Sequence, residues 1–127
     1  MEVSEKLGSL RSAFAECELM ALADISTGLV LCANSDETRP REELDAFCAQ
    51  ASSLLDGATA RDCLAAVRDE AKPAPQQALS LADGRLSLFL RSPLIPTDVL
   101  CCICRPNVDL ANLVERSRTY LIDIAAQ

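Results

Sequence analysis

The chain predicts a three-layer α/β/α sandwich whose middle layer is a five-stranded, mainly antiparallel sheet. Three observations carry that expectation. Asp83-Gly84 lies between two apolar runs, at the spacing of a two-residue β-turn. Apolar residues recur at helical spacing before, between and after the strand-like segments. Several of those segments are apolar at nearly every position, as in a sheet covered on both faces.

Taken in order, Val3, Leu7, Leu10 and Phe14 recur at steps of four, three and four, which predicts a helix over about residues 2–16. Glu2 and Glu5 lie early in it, where the helix dipole favours acids. Cys17–Asp24 and Leu29–Ala33 are apolar runs joined by Ile25-Ser-Thr-Gly28, the pattern of a hairpin with both strands buried on both faces. Asn34 to Pro40 reads as a loop. Pro40 suits a first helical turn, and Glu42 and Glu43 complement the dipole of the second helix. Leu44, Phe47, Cys48, Ala51, Leu54 and Leu55 give that helix a broad apolar face, which Asp56-Gly57 ends. Thr59 and Asp62 resemble a cap and its acidic partner, so a shorter helix is expected over residues 60–71, stopped by Lys72-Pro-Ala-Pro75.

Residues 77–91 read as a second hairpin. A type I′ turn needs φ > 0 at both central residues, and Gly84 adopts it without a Cβ clash. The turn sets the register. Ala82 faces Arg85, Leu81 faces Leu86, Ser80 faces Ser87, Leu79 faces Leu88 and Ala78 faces Phe89. Leucine then meets leucine on one face. After the loop Ser92–Thr97, Val99–Cys104 is apolar on both faces and reads as a central strand. Pro106-Asn107 breaks it, and Val108, Leu110, Leu113, Val114, Leu121 and Ile124 mark a last helix over about residues 107–125. The order is α-β-β-α-(α)-β-β-β-α. The middle helix region is expected on one face of the sheet and the terminal helices on the other.

At 127 residues, half of them hydrophobic, the chain fits one domain over residues 1–127. Lys and Arg number 12 against 19 Asp and Glu, a net charge of −7, so no global field draws it to nucleic acid or anionic lipid. Aromatics are 3% with no Trp, which argues against a base-stacking platform. No apolar run approaches the roughly 18 residues that span a bilayer, and the acidic, mixed start is unlike a secretory signal. A cytoplasmic setting is expected, with no nucleic-acid partner and no membrane insertion. There the seven cysteines stay reduced.

The chain is poor in reaction chemistry. With no histidine it lacks the commonest general base, metal ligand and pH switch. Cys101-Cys-Ile-Cys104 places Cys102 and Cys104 on one face of a strand and Cys101 on the other. Two converging thiols fall short of the four ligands of a structural zinc site, and the motif reads as buried filler. Asp24 beside a hairpin glycine reads as turn chemistry. No G-x-x-x-x-G-K-[ST] is present, and four glycines leave no phosphate cradle. No catalytic residue, cofactor or metal is expected. Among polar residues the arginines have the best claim to a partner, Arg39 and Arg41 at the start of the second helix first among them.

Ala21-Leu-Ala-Asp24 leading through Thr27-Gly28 into Leu29-Val-Leu31, the helix Glu42–Leu55, the Asp83-Gly84 hairpin and Val99–Cys104 with its following helix together resemble the roadblock-type dynein light chain family, in a bacterial form. That family shares the profilin-like and longin-like architecture. The resemblance implies a non-enzymatic homodimeric adaptor that binds or modulates a small Ras-like GTPase or a signalling complex. It also implies that a partner copy joins through the third strand and second helix. On this chain those surfaces are Leu44, Phe47, Cys48, Ala51, Leu54 and Leu55, with Ala78, Leu79, Ser80 and Leu81. The same helix residues are equally able to cover the chain's own sheet. The strand 86–91 is then expected inside the sheet beside 99–104, with 78–81 at its edge. A second reading is a small-ligand or thiol-redox sensor of profilin/PAS-like shape.

Overall fold

A computed structural model of the protein describes residues 2–56 and 76–126. Its elements are α1 (Glu2–Ser12), β1 (Cys17–Asp24), β2 (Leu29–Ser35), α2 (Arg41–Asp56), β3 (Gln77–Ala82), β4 (Arg85–Arg91), β5 (Asp98–Cys104) and α3 (Leu110–Ala125). The short helix expected over residues 60–71, its Thr59–Asp62 cap, Gly57 and the Lys72–Pro75 stop lie outside the described residues.

Among the described residues the strands form one sheet in the order β2-β1-β5-β4-β3, every neighbouring pair antiparallel. The β3–β4 register is the expected one at all five predicted pairs, from Ala82 with Arg85 to Ala78 with Phe89. Asp83 has φ 54° and Gly84 φ 71°, the two positive angles of a type I′ turn. β4 lies inside, against β5, and β3 is the edge.

Strand alternation divides the core into two layers. Leu22, Leu88, Leu90, Leu100, Cys102 and Cys104 point to the face covered by α1 and α3, where they meet Leu7, Leu10, Leu113 and Leu121. Leu19, Ala23, Phe89, Val99 and Cys101 point to the other face and meet Phe47, Cys48, Ala51 and Leu55 of α2. The Phe47 and Phe89 rings pack tilted, with centroids 5.1 Å apart. β1, β4 and β5 are thus buried on both sides, which is why their sequences read as nearly continuous apolar runs.

β2 corrects the expectation of a doubly buried first hairpin. It is the other edge, with Leu29 49% and Leu31 53% exposed. It also runs on to Ser35, two residues beyond the expected end. Leu22 pairs with Cys32 but Ala23 with Val30, so Leu31 is an extra residue, a β-bulge. α1 is shorter than expected and ends at Ser12. The chain turns there, Phe14 N–H donating to Arg11 O at 3.0 Å, and Phe14 reaches the core from the turn rather than from the helix. α3 begins at Leu110, later than the apolar pattern implied, because Asp109 caps it: its carboxylate accepts from Asn112 N–H at 3.3 Å.

Two buried polar contacts lock the layers. Tyr120 of α3 donates to Val3 O of α1 at 3.1 Å. Arg91, only 7% exposed, donates to Leu55 O in the last turn of α2 at 3.3 Å and to Pro96 O at 2.9 Å. A guanidinium there satisfies an orphan helix carbonyl and meets the negative end of the helix dipole.

Candidate assembly surface

β3 pairs with β4 on one side, and no described strand lies on its other side. The pairing pattern shows which backbone groups are open. Arg91 N–H donates to Gln76 O at 2.8 Å, and Gln76 and Arg91 stand opposite each other in the register of the hairpin. Hydrogen-bonded pairs alternate along an antiparallel ladder, so Gln76, Ala78, Ser80 and Ala82 bond inward to β4. The N–H and C=O groups of Gln77, Leu79 and Leu81 therefore point outward. Two of those three residues also carry exposed apolar side chains, Leu79 at 48% and Leu81 at 69%. β3 has no bulge and no Pro within its bounds. A flat edge with exposed leucines is the kind that adds a strand.

The sheet faces beside this edge differ. Leu79 and Leu81 stand opposite Leu88 and Leu86, on the side of α1 and α3. Ala78 packs into the α2 layer, and Ser80 shares that face. Of the α2 residues expected at an interface, Phe47, Cys48, Ala51 and Leu55 are buried against their own sheet, while Leu44 and Leu54 are half-buried. The exposed side of α2 instead carries Arg41, Glu42, Glu43 and Asp45 in its first turns and Ala46, Ala49, Gln50 and Ser53 beyond them. Sequence reasoning passed over the latter four because they fall off the apolar stripe. Their signal is smallness at helical spacing, which allows close approach of a second helix.

Beside α2, Gln50, Ser80, Ala82, Arg39, Arg85 and Glu18 line an open cleft of ≈ 470 Å³. Glu18 is its electrostatic centre, 2.7 Å from Arg85 Nε and 3.8 Å from Arg39 Nη2. Arg39 also reaches Glu43 at 2.9 Å and Asp36 at 3.9 Å, and its side chain is 18% exposed. Arg39 therefore ties the β2–α2 loop to β1. Arg41 is 64% exposed and paired with Asp45 at 3.3 Å. Although both arginines flank the start of α2, only Arg41 presents its guanidinium broadly to solvent.

At the opposite end of the sheet, Asp24 serves its turn as expected. Ser26 N–H and Oγ donate to its carboxylate at 2.9 and 2.6 Å, and the hydroxyl bond chiefly lowers its pKa. Asp98, its cross-strand partner, has its pKa raised by desolvation and secondly by the Asp24 charge. Among the described residues no His/Cys/Asp/Glu group could hold a metal ion. No described helix is long and apolar enough to cross a membrane.

A five-stranded antiparallel sheet with α2 on one face, α1 and α3 on the other, and a third strand that pairs on one side only among the described residues is the roadblock fold. The likeness is one of structure alone: no protein-family profile matches the sequence, and no curated protein matches it significantly. The roadblock/LC7 domain from Streptomyces avermitilis has a TM-score of 0.77 at 15% identity, over 97% of this chain and 94% of that one. MglB of Myxococcus xanthus has a TM-score of 0.75 at 9% identity, over 98% and 92%. An MglB structure described as having a tetrameric arrangement has a TM-score of 0.76 at 12% identity, over 98% and 86%.

Proposed function

We propose that this chain is a cytoplasmic, non-enzymatic adaptor that dimerises through β3 and α2 and binds a small Ras-like GTPase or a signalling complex. The observation that carries the reading is the open, unbulged β3 edge with Leu79 and Leu81 exposed. Two copies related by a two-fold axis would add antiparallel at this edge. Setting Leu79 opposite its own copy uses all three outward residues, because Gln77 then meets Leu81. The two sheets become one, and α2 of each copy approaches the other along Ala46, Ala49 and Ser53. Leu44 and Leu54, half-buried in one copy, gain cover at the margin of that helix pair. The likeness to an MglB structure with a tetrameric arrangement supports self-association. The GTPase part rests on the roadblock resemblance, with Arg41 as the exposed cation at the start of α2.

Light scattering on the purified chain tests the assembly. A dimer at micromolar concentration is expected, and a clean monomer overturns the β3 reading. Pull-downs from lysate with the wild-type chain, in GDP and in a GTP analogue, test the partner. Recovery of no GTPase in either state overturns that half while leaving the dimer standing.

A further inference from the structure

Three buried thiols meet on the α1/α3 face of the sheet, at the end of β1 and β5. Cys17 is the first residue of β1 and Cys104 the last of β5, and the two stand directly opposite each other. Cys102 is two residues back on the same strand and the same face. Arg105 N–H donates to Glu16 O at 2.9 Å, and Cys17 N–H donates not across the sheet but to Phe14 O at 3.0 Å. The β1–β5 register shifts between Cys17 and Leu19, so the Cys17–Cys104 pair stands at a β-bulge with the Arg105–Glu16 bond on its outer flank. Residues directly opposed on antiparallel strands have Cα atoms about 4.5–5.5 Å apart, within the span of about 4.4–6.8 Å that a disulfide bridges.

We infer that Cys17 and Cys104 form a site of reversible oxidation, joined as an intramolecular disulfide by a hydroperoxide. The chemistry divides between the two sulfurs. The Cys17 sulfur lies 3.4 Å from Leu19 O; the neighbouring Cys102 and Cys104 thiols chiefly, with Arg11 a lesser cause, lower its pKa, while theirs are raised. The Cys17 thiolate attacks one peroxide oxygen. An S–O bond forms, the O–O bond breaks, and the departing hydroxide takes up a proton as water. Cys104 then gives up its proton and its sulfur attacks the Cys17 sulfur. The S–S bond forms, the S–O bond breaks, and the hydroxyl leaves with that proton as a second water. Two thiols lose two electrons and the peroxide is reduced to water.

Direct opposition across the sheet, rather than exposure, sets this pair apart, since Cys32 on the same face is half-buried. Cys17 is 2% and Cys104 0% exposed, but both sit at strand ends, beside the exposed Ala15 and Arg105, where local opening admits a small oxidant. Cys101 points to the other face of the sheet, in the α2 layer.

The experiment treats the intact wild-type chain with hydrogen peroxide and maps its peptides without reduction, using fragmentation to assign each sulfur. The expected result is an intact mass lower by two hydrogens, a Cys17–Cys104 link within one chain, and recovery of both thiols on reduction. Cys104→Ser should instead leave a sulfenic acid on Cys17 that a cyclic dione traps, whereas Cys102→Ser should keep the link. The assignment is overturned by retention of every thiol, by a link that uses Cys102, Cys32, Cys48 or Cys101, or by a link between two chains. Because the wild-type map decides the matter, a variant that fails to fold does not.

Discussion

Replacing Leu79 with Lys isolates the β3 edge from the rest of the fold. Full burial of a leucine side chain is worth about 1.5–3 kcal/mol. With 48% of Leu79 still exposed in one copy, covering that part contributes about 1 kcal/mol per protomer, or about 2 kcal/mol for the symmetric pair. A tenfold change in affinity is about 1.4 kcal/mol, so the dissociation constant should rise at least about 30-fold. Two ammonium groups facing each other across the axis push it further. The monomer should be unaffected within about 0.5 kcal/mol, because the residue lies on its surface. Sedimentation equilibrium across a concentration series reads the dimer, and a urea titration reads the fold. Leu31→Lys is the control: that residue is 53% exposed but sits on the bulge of β2, and it should shift the dimer less than about threefold. An unchanged dissociation constant for Leu79→Lys, or an equal shift for Leu31→Lys, refutes the assignment of the edge.

Phe47→Ala should destabilise the monomer by about 3–5 kcal/mol in urea, because the ring is buried against Phe89 and belongs to the chain's own core. Arg91→Met should cost about 1–3 kcal/mol for each of the Leu55 and Pro96 carbonyls left unpaired, seen as an earlier thermal transition. Asp98→Asn should stabilise the protein at neutral pH. The folded pKa of Asp98 is raised, so stability is lost as pH rises from the ordinary carboxylate value of about 3.9 through the raised one. Denaturant midpoints should therefore separate the variant from the wild type at neutral pH and converge below about pH 3, where the wild-type carboxyl is protonated.

The legible parts of the fold were those where two local signals agreed. Asp83-Gly84 dictated a turn type, the turn dictated a register, and the leucine pattern matched it, so the hairpin came out pair by pair. The division of Cys101 from Cys102 and Cys104 followed from strand alternation alone. β2 was not legible, because Leu29-Val-Leu31 looks the same in a buried strand as on a bulged edge. The bulge is a property of the β1–β2 register, which no turn residue sets there. The exposed small residues of α2 were passed over for a related reason. Apolar residues mark the face that covers the core, and in this helix that face belongs to its own sheet. The neighbourhood of Cys17 depends on β1 and β5, far apart in sequence, meeting side by side, as its pairing with Cys104 shows.

The bulge at Leu31 has a consequence for how many copies a sheet of this kind admits. A subunit with two flat edges has two valences and propagates without limit, as fibrils do. Here the extra residue breaks the ladder on one side and leaves the other intact. Strand addition of the proposed kind would be monovalent: the first partner would consume the β3 edge, and the joined sheet would end in a bulge at both margins. On that proposal, a single inserted leucine would make growth by strand pairing stop at a finite particle.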